Sequence, residues 1–192
     1  MRPGNWRRMR PRTSAGKILV LLLLLAPALA FADAGPDREH RVKAVFLFNF
    51  AQFVDWPDSA LGAPKEPLVV GILGGDPFES FLDEVVKGES VHDRPVVIKR
   101  FKRTEDIKAC HVLFVSSGEE SRLDGILASL KGRNILTVGE SVDFNQRGGM
   151  VCFATESGKV RLKINLEAVQ AAHLAVSSKL LRLADTSSPG AK

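Results

Sequence analysis

The fold class follows from residues 68–73, whose sequence is Leu-Val-Val-Gly-Ile-Leu. An unbroken apolar run of this length is typical of a strand that is covered on both faces, as in a parallel sheet. Gly74 and Gly75 then turn the chain. The next residues, Asp-Pro-Phe-Glu at 76–79, predict a helix start, because Asp can cap a helix and Pro fits its first position.

The same strand-and-helix alternation continues along the chain. Further apolar runs predict strands at residues 96–101, 112–115 and 134–138, and a helix capped by Ser117 is expected to end at Gly132. This order predicts a sheet built from βαβ units with right-handed crossovers.

The two ends of this region follow different patterns. Residues 40–54 have apolar side chains at helical spacing and predict an amphipathic helix. Residues 150–155 and 160–164 flank a Gly-containing loop and predict a β-hairpin. Asn165 should cap one final helix, whose apolar stripe comprises Leu166, Val169, His173, Val176, Leu180 and Leu183. We therefore expect one three-layer, Rossmann-like α/β domain at residues 40–184, with a mostly parallel sheet, a C-terminal β-hairpin and a final helix.

The N-terminal segment has the composition of a Sec-type secretory signal. Residues 1–32 contain six basic and no acidic residues, then a short apolar core and the small-residue segment Ala28-Leu29-Ala30-Phe31-Ala32. Cleavage after Ala30 or Ala32 fits, and we favour Ala32. An uncleaved membrane anchor is the other interpretation. We expect residues 33–39 to be a flexible leader and residues 185–192 a disordered tail.

Cleavage would change the charge of the protein. The whole chain of 192 residues carries a net charge of +5 and has a pI near 9.4. The signal holds six of the 27 basic residues and none of the 22 acidic ones, so the exported chain would have a net charge of −1. The charge argument for a nucleic-acid partner therefore fails, and we expect an exported protein that binds no nucleic acid.

No residue pattern in the sequence indicates a catalytic, phosphate-binding or metal-binding site. Gly71 to Gly75 lie where phosphate-binding loops occur, but they do not match such a motif, and a tight turn is the simpler interpretation. The histidines and cysteines lack metal-ligand spacing, so we expect no metal and no cofactor. A hydrolase using Ser116, Ser117 or Asp76 would need a histidine in the same cleft. We therefore predict that the protein is not an enzyme.

The two cysteines leave alternatives open. Cys110 and Cys152 lie in different predicted strands, and an oxidising compartment would permit a disulfide between them. The alternative is that both are small buried apolar side chains.

Four ordered segments carry a resemblance to a known family. They are residues 42–57 (VKAVFLFNFAQFVDWP), residues 110–116 (CHVLFVS), residues 135–140 followed by Phe144 and Gly148-Gly149-Met150, and residues 164–166 leading to 177–184 (SSKLLRLA). Together they resemble the YfiR-like family of periplasmic regulatory proteins. Phe48 stands where that family usually has tyrosine, and Cys152 where asparagine is common.

The resemblance implies a Rossmann-like fold, a homodimer and a regulator without enzymatic activity. It further implies a partner, the exported sensor domain of an inner-membrane signalling protein such as a diguanylate cyclase, which the regulator would repress in cyclic di-GMP signalling. The alternative function is a periplasmic small-ligand-binding protein of a transport or sensor system. Five residues are our candidates for partner or ligand contact: Phe48, Trp56, Gly148, Gly149 and His173.

Overall fold

A computed structural model describes residues 36–187, with the side chains of residues 38–185. The predicted signal at 1–32 and the residues at 188–192 lie outside this range. The described residues belong to one compact unit, Asp33–Lys192. Its α-helices are α1 Pro36–Phe53, α2 Asp58–Leu61, α3 Ser80–Val86, α4 Leu123–Leu130, α5 Leu166–Ala171 and α6 Ser178–Leu181.

Most strands form one sheet, and two short ones form a separate ladder. The strands are β1 Val54–Asp55, β2 Leu68–Leu73, β3 Ser90–Val91, β4 Arg94–Phe101, β5 Val112–Val115, β6 Leu136–Gly139, β7 Val151–Glu156, β8 Lys159–Asn165, β9 Ala175–Val176 and β10 Ala184–Ser187. The eight-stranded sheet has the order β10-β8-β7-β6-β5-β2-β4-β3. Its pairs are parallel except β7 with β8 and β3 with β4.

The sheet is covered on both faces, which confirms the predicted fold class. Along β2, Val70 and Ile72 join the core beneath α1 and α3, whereas Val69 and Leu73 join the core beneath α4. Successive strand residues point to opposite faces, so a strand between two helical layers must be apolar throughout. This explains the unbroken run at residues 68–73.

Several predicted boundaries are corrected by the structure. α1 begins at Pro36, so the second half of the expected leader is helical. β10 begins at Ala184 and pairs in parallel with β8, so the chain remains in the sheet to Ser187, where a tail was expected. α3 begins at Ser80, because Asp76 accepts a hydrogen bond from the Phe78 amide (2.8 Å) in a turn instead of capping a helix.

The predicted final helix begins at the expected cap but is shorter than expected. Asn165 does cap α5, accepting a hydrogen bond from the Ala168 amide at 3.0 Å. The helix ends at Ala171, and His173 takes a positive φ of 55°, which an α-helix does not allow. Residues 175–176 instead pair with β1 in an antiparallel ladder, Val54 opposite Val176. A two-stranded ladder and the short helix α6 therefore replace the second half of that helix.

Candidate functional site

An apolar groove lies on the outer side of α1. The opposite side of this helix buries Ala44, Leu47 and Phe50 completely. Val42 and Val45 nevertheless remain 38% and 42% exposed, so the helix is apolar on more sides than its core contacts require. We call this cavity of about 280 Å³ the α1–α3 groove; its lining residues are Arg38, Arg41, Val42, Val45, Phe46, Asn49 and Phe81.

Positive charge borders the α1–α3 groove. Arg38 and Arg41 lie one turn apart at the N-terminal end of the helix. The Arg41 guanidinium lies over the Phe81 ring, 5.2 Å from its centroid. The groove floor is held in place from below, since Phe46 packs against Phe50 and Phe153 with centroid distances of 6.3 and 6.2 Å. The groove thus combines a rigid aromatic floor with a basic border.

The predicted contact residues near the end of α1 are less accessible. Phe48 is partly buried and packs against the core on the α1 side of the sheet. Trp56 is only 8% exposed and contacts the His111 ring edge-on, with a centroid distance of 5.8 Å. Its indole N–H has no acceptor among the described residues. Trp56 therefore anchors the end of α1 in the core.

His111 holds the loop after Trp56 in place. Its Nδ1 accepts a hydrogen bond from the Val69 amide (3.0 Å), so its Nε2 carries the proton and donates to the Ala60 carbonyl (3.2 Å). Burial lowers the pKa of His111, and the charge of Arg94 lowers it further. The ring is thus held neutral, bridging α2 and the start of β2.

Of the remaining predicted contact residues, His173 lies near Trp56 in the fold, because Asp55 pairs with Ala175, whereas the two glycines lie elsewhere. Gly148, with a φ of 98°, lines a cavity between α4 and α5, and a Cβ there would meet no atom within 4 Å. Gly149 packs under Phe144, where a Cβ would lie 2.2 Å from the ring. His173 is exposed at the turn after α5. The structure therefore does not bring the five predicted residues into one site.

The glycine turn after β2 is not a phosphate-binding loop. Gly71 lies within β2, where a Cβ would be 2.8 Å from both the Cys110 sulfur and the Phe101 ring, so close packing requires this glycine. The following helix, α3, begins only at Ser80 and has seven residues. The N-terminus of α3 therefore does not directly follow the turn at Gly74 and Gly75.

Ion pairs occupy the carboxyl ends of β2, β4 and β5. Arg100 donates to both carboxylate oxygens of Asp83 (2.5 and 3.1 Å) and to Asp76 (2.7 Å). The Arg100 hydrogen bonds hold the pKa of Asp83 below its usual value. Nearby, a cleft of about 220 Å³ contains the pairs Arg103–Glu105 and Arg122–Glu119. Asp76 is thus part of an ion-pair network, and neither Ser116 nor Ser117 hydrogen-bonds a histidine within the described residues.

A buried lysine connects α1 to the sheet. The Lys43 side chain is 4% exposed, and its Nζ lies 2.6 Å from a carboxylate oxygen of both Glu39 and Glu140. Burial lowers the pKa of Lys43, but the hydrogen bonds to Glu140 and Glu39 outweigh it, so the net shift is upward. Lys43 therefore stays charged, and residues 39, 43 and 140 form what we call the Lys43 triad. The sequence pattern did not indicate it, because Glu140 lies far from α1 along the chain.

The two cysteines are free and buried. β6 lies between β5 and β7, with Val112 opposite Leu136 and Gly139 opposite Cys152. Cys110 is thus two strands and five residue positions away from Cys152, roughly 10 Å across and 16 Å along the sheet. A disulfide needs Cα atoms within about 7 Å, so this arrangement excludes the bridge. Burial raises the pKa of the Cys110 thiol to about 12.

Metal-binding clusters and membrane-spanning helices are both absent from the described residues. Within the described range, no group of three or more His, Cys, Asp or Glu side chains is arranged to hold a metal ion. Among the described helices, none combines the length and the apolarity needed to cross a bilayer.

A family model matches most of the chain. Residues 40–185 match the family model described as DUF4154, YfiR/HmsC-like. No curated protein matches the chain significantly.

Two solved structures are similar in part. One is a conserved domain protein from Vibrio cholerae, 12% identical, covering 62% of this chain and 54% of that one with a TM-score of 0.46. The other is the ABC domain in complex with L-Trp from Streptococcus pneumoniae, 10% identical, covering 74% and 59% with a TM-score of 0.49. The chain spans a little over half the length of each.

Proposed function

Because the chain belongs to the YfiR/HmsC-like family over residues 40–185, we propose that it is a periplasmic, non-enzymatic regulator of an inner-membrane signalling protein. The family match carries this proposal, since the family is known from cyclic di-GMP regulation. The partner would be the exported sensor domain of a diguanylate cyclase, and the effect would be repression.

The α1–α3 groove supplies a surface for such a partner. Its floor is almost wholly apolar, and Arg38 and Arg41 border it. An amphipathic helix of the partner would place its apolar face on Val42, Val45 and Phe46, with a carboxylate beside Arg38. Helix-in-groove recognition of this kind uses apolar anchors at helical spacing, and charge complementarity sets the orientation.

Repression requires a difference in affinity. The regulator binds the inactive and the active state of the sensor domain with different affinities. The ratio of these two affinities limits how far it can shift the equilibrium between the states. A nearly complete shift of the equilibrium takes a preference of about 10⁴-fold.

The experiment is a binding assay between the purified protein and the exported domains of the membrane cyclases of its host. Val45→Glu places a charge in the α1–α3 groove, and we expect it to weaken binding about tenfold or more. Val142→Glu is the matched control, because Val142 is fully exposed on another part of the surface.

Two results would contradict the proposal. If none of the exported domains binds, there is no such partner, and if both variants bind equally well, the groove is not the contact surface. Cyclic di-GMP measured in cells that carry each variant gives the functional readout. Val45→Glu should raise it to the level of a deletion strain, whereas Val142→Glu should not.

Compartment and oligomeric state belong to the same proposal and have their own tests. Export with cleavage after Ala32 predicts a mature chain that begins at Asp33, found in the periplasmic fraction. N-terminal sequencing of that fraction checks it, and an uncleaved chain in the membrane fraction would contradict it. The proposed homodimer is checked by sedimentation equilibrium, where a monomer at all concentrations would exclude it.

A further inference from the structure

A cavity of about 380 Å³ opens between α4, the loop before β7 and α5. Sites for small organic ligands usually have volumes of several hundred Å³, so this one suits a compact molecule. We call it the α4–α5 cavity. Its lining residues are Asp124, Leu127, Ala128, Leu130, Lys131, Gly132, Arg133, Ile135, Thr137, Arg147, Gly148, Met150, Ala168, Ala171 and Ala172.

The interior of the α4–α5 cavity is apolar. Leu130, Ile135 and Met150 line it and are each at most 9% exposed. On the α5 side, Ala168 and Ala172 lie one helical turn apart on the same face. Side chains this small leave the space open, and the interior would contact the apolar body of a ligand.

One hydroxyl group inside the cavity has a proton to donate. Thr137 is 2% exposed, and its Oγ1 accepts a hydrogen bond from the Met150 amide at 3.2 Å. A hydroxyl group can donate as well as accept, but the Thr137 proton has no acceptor within residues 36–187. A buried donor without a partner costs free energy, so an oxygen acceptor on a ligand would be favoured here.

Positive charge surrounds the opening. Lys131, Arg133 and Arg147 line it, against the single carboxylate of Asp124. Asp124 is already bound by Arg147, with Nε and Oδ1 2.7 Å apart. Arg133 donates to the Ile107 carbonyl (2.7 Å), and neither Arg133 nor Lys131 has a carboxylate partner in the described part of the chain. The opening therefore has an excess of positive charge.

We propose that the α4–α5 cavity binds a compact organic carboxylate with an aromatic or branched aliphatic body. The carboxylate would accept hydrogen bonds from Thr137 and Arg133, and the body would occupy the space beside Ala168 and Met150. Arginine is well suited to carboxylates because its two parallel N–H groups match the two oxygens. This site is separate from the α1–α3 groove and does not depend on the proposed regulatory function.

Calorimetry on the purified protein tests the ligand class. The probes are phenylacetate and 4-methylpentanoate, with phenylacetamide as the neutral match and phenethylamine as the cationic one. We expect the acids to bind, the amide to bind about tenfold more weakly, equivalent to about 1.4 kcal/mol, and the amine not to bind. Equal binding of acid and amide, or no binding of either acid at millimolar concentration, would overturn the proposal.

Substitutions in the α4–α5 cavity then test whether the ligand binds there. Ala168→Leu fills the cavity with a good helix former and should abolish binding. Thr137→Val removes the hydroxyl group and should weaken binding about tenfold, whereas Thr137→Ser keeps the hydroxyl group and should restore it. The double variant Lys131→Gln with Arg133→Gln should weaken binding of the acids but not of the amide.

Lys87→Gln is the control for charge, because Lys87 is exposed at the end of α3 and does not line the cavity. Thermal unfolding of each variant shows whether it is folded. If folded Ala168→Leu binds phenylacetate as tightly as the unmodified protein, the acid binds elsewhere and the proposed site is wrong. Loss of cyclase binding by Val45→Glu would leave this result unaffected, so the two proposals fail separately.

Discussion

Replacing Lys43 by methionine should destabilise the protein strongly, although lysine is ordinarily a surface residue. The side chain is 4% exposed, and its Nζ contacts Glu39 and Glu140 at 2.6 Å each. Methionine keeps much of the aliphatic chain but removes the charge. The two carboxylates would then face each other without the cation between them.

The size of the effect follows from how far those carboxylates can regain water. Removing one partner of a fully buried ion pair costs about 3–5 kcal/mol. The Glu39 and Glu140 side chains keep 32% and 17% exposure, and the Thr155 hydroxyl group still donates to Glu39. We therefore expect the lower end of that range, about 3 kcal/mol, which lowers Tm by about 9 °C in a domain of this size.

Urea unfolding at neutral pH measures this loss, and two further variants interpret it. Lys43→Met with Glu140→Gln removes the orphaned charge next to the sheet and should recover at least half of the stability. Lys163→Met is the control, because the Lys163–Glu156 pair is about half exposed on both sides and should contribute less than about 1 kcal/mol. If Lys43→Met and Lys163→Met cost the same, the triad does not stabilise the fold as argued.

Three other predictions follow from buried groups. The pKa of His111 is lowered in the folded state, so protonation favours the unfolded chain: stability should fall as the pH drops below about 6.5 and level off once the pH is below the folded pKa. Urea unfolding against pH checks this, and the dependence should weaken in His111→Asn but not in His173→Asn. Cys110 and Cys152 should not react with a thiol reagent until the protein unfolds, and reductant should leave Tm unchanged; a lower Tm with reductant would contradict two free thiols. Gly71→Ala should destabilise by about 1–3 kcal/mol in thermal unfolding, because its Cβ has no room in the core.

The sheet could be predicted well because its strands are specified locally. The strands at residues 68–73 and 112–115 have the predicted bounds, since burial on both faces makes every residue apolar. The hairpin is also found within one residue at each of its ends. The spacing of apolar residues and the type of turn residue are enough to predict such elements from the sequence.

The C-terminal helix was mispredicted because its pattern has two structural solutions. The spacing of Leu166, Val169 and Leu180 suits one long helix, but the same residues reach the core from α5 and α6 across a strand. What decides between the two is the pairing of β9 with β1, a contact between distant parts of the chain. Local propensity carries no information about such a contact.

Candidate site residues were harder to predict for a similar reason. Trp56 and Phe48 are conspicuous in the sequence, yet the core takes up much of their surface. The exposed apolar residues of α1, Val42 and Val45, form part of the same periodic pattern as its buried ones. A helix that is apolar on a wide arc gives no local sign of which side the core covers.

The β1–β9 ladder also determines when the protein can finish folding. Val54, at the end of the first helix, pairs with Val176, and the Ser177 amide donates to the Phe53 carbonyl at 2.8 Å. A chain that emerges with its N-terminus first therefore holds α1 without its final partner until almost the whole domain has followed. Contacts between such distant segments slow folding, because the loop between them must close first. α1 therefore gains this last contact only when residues 175–177 have been synthesised, near the end of the domain.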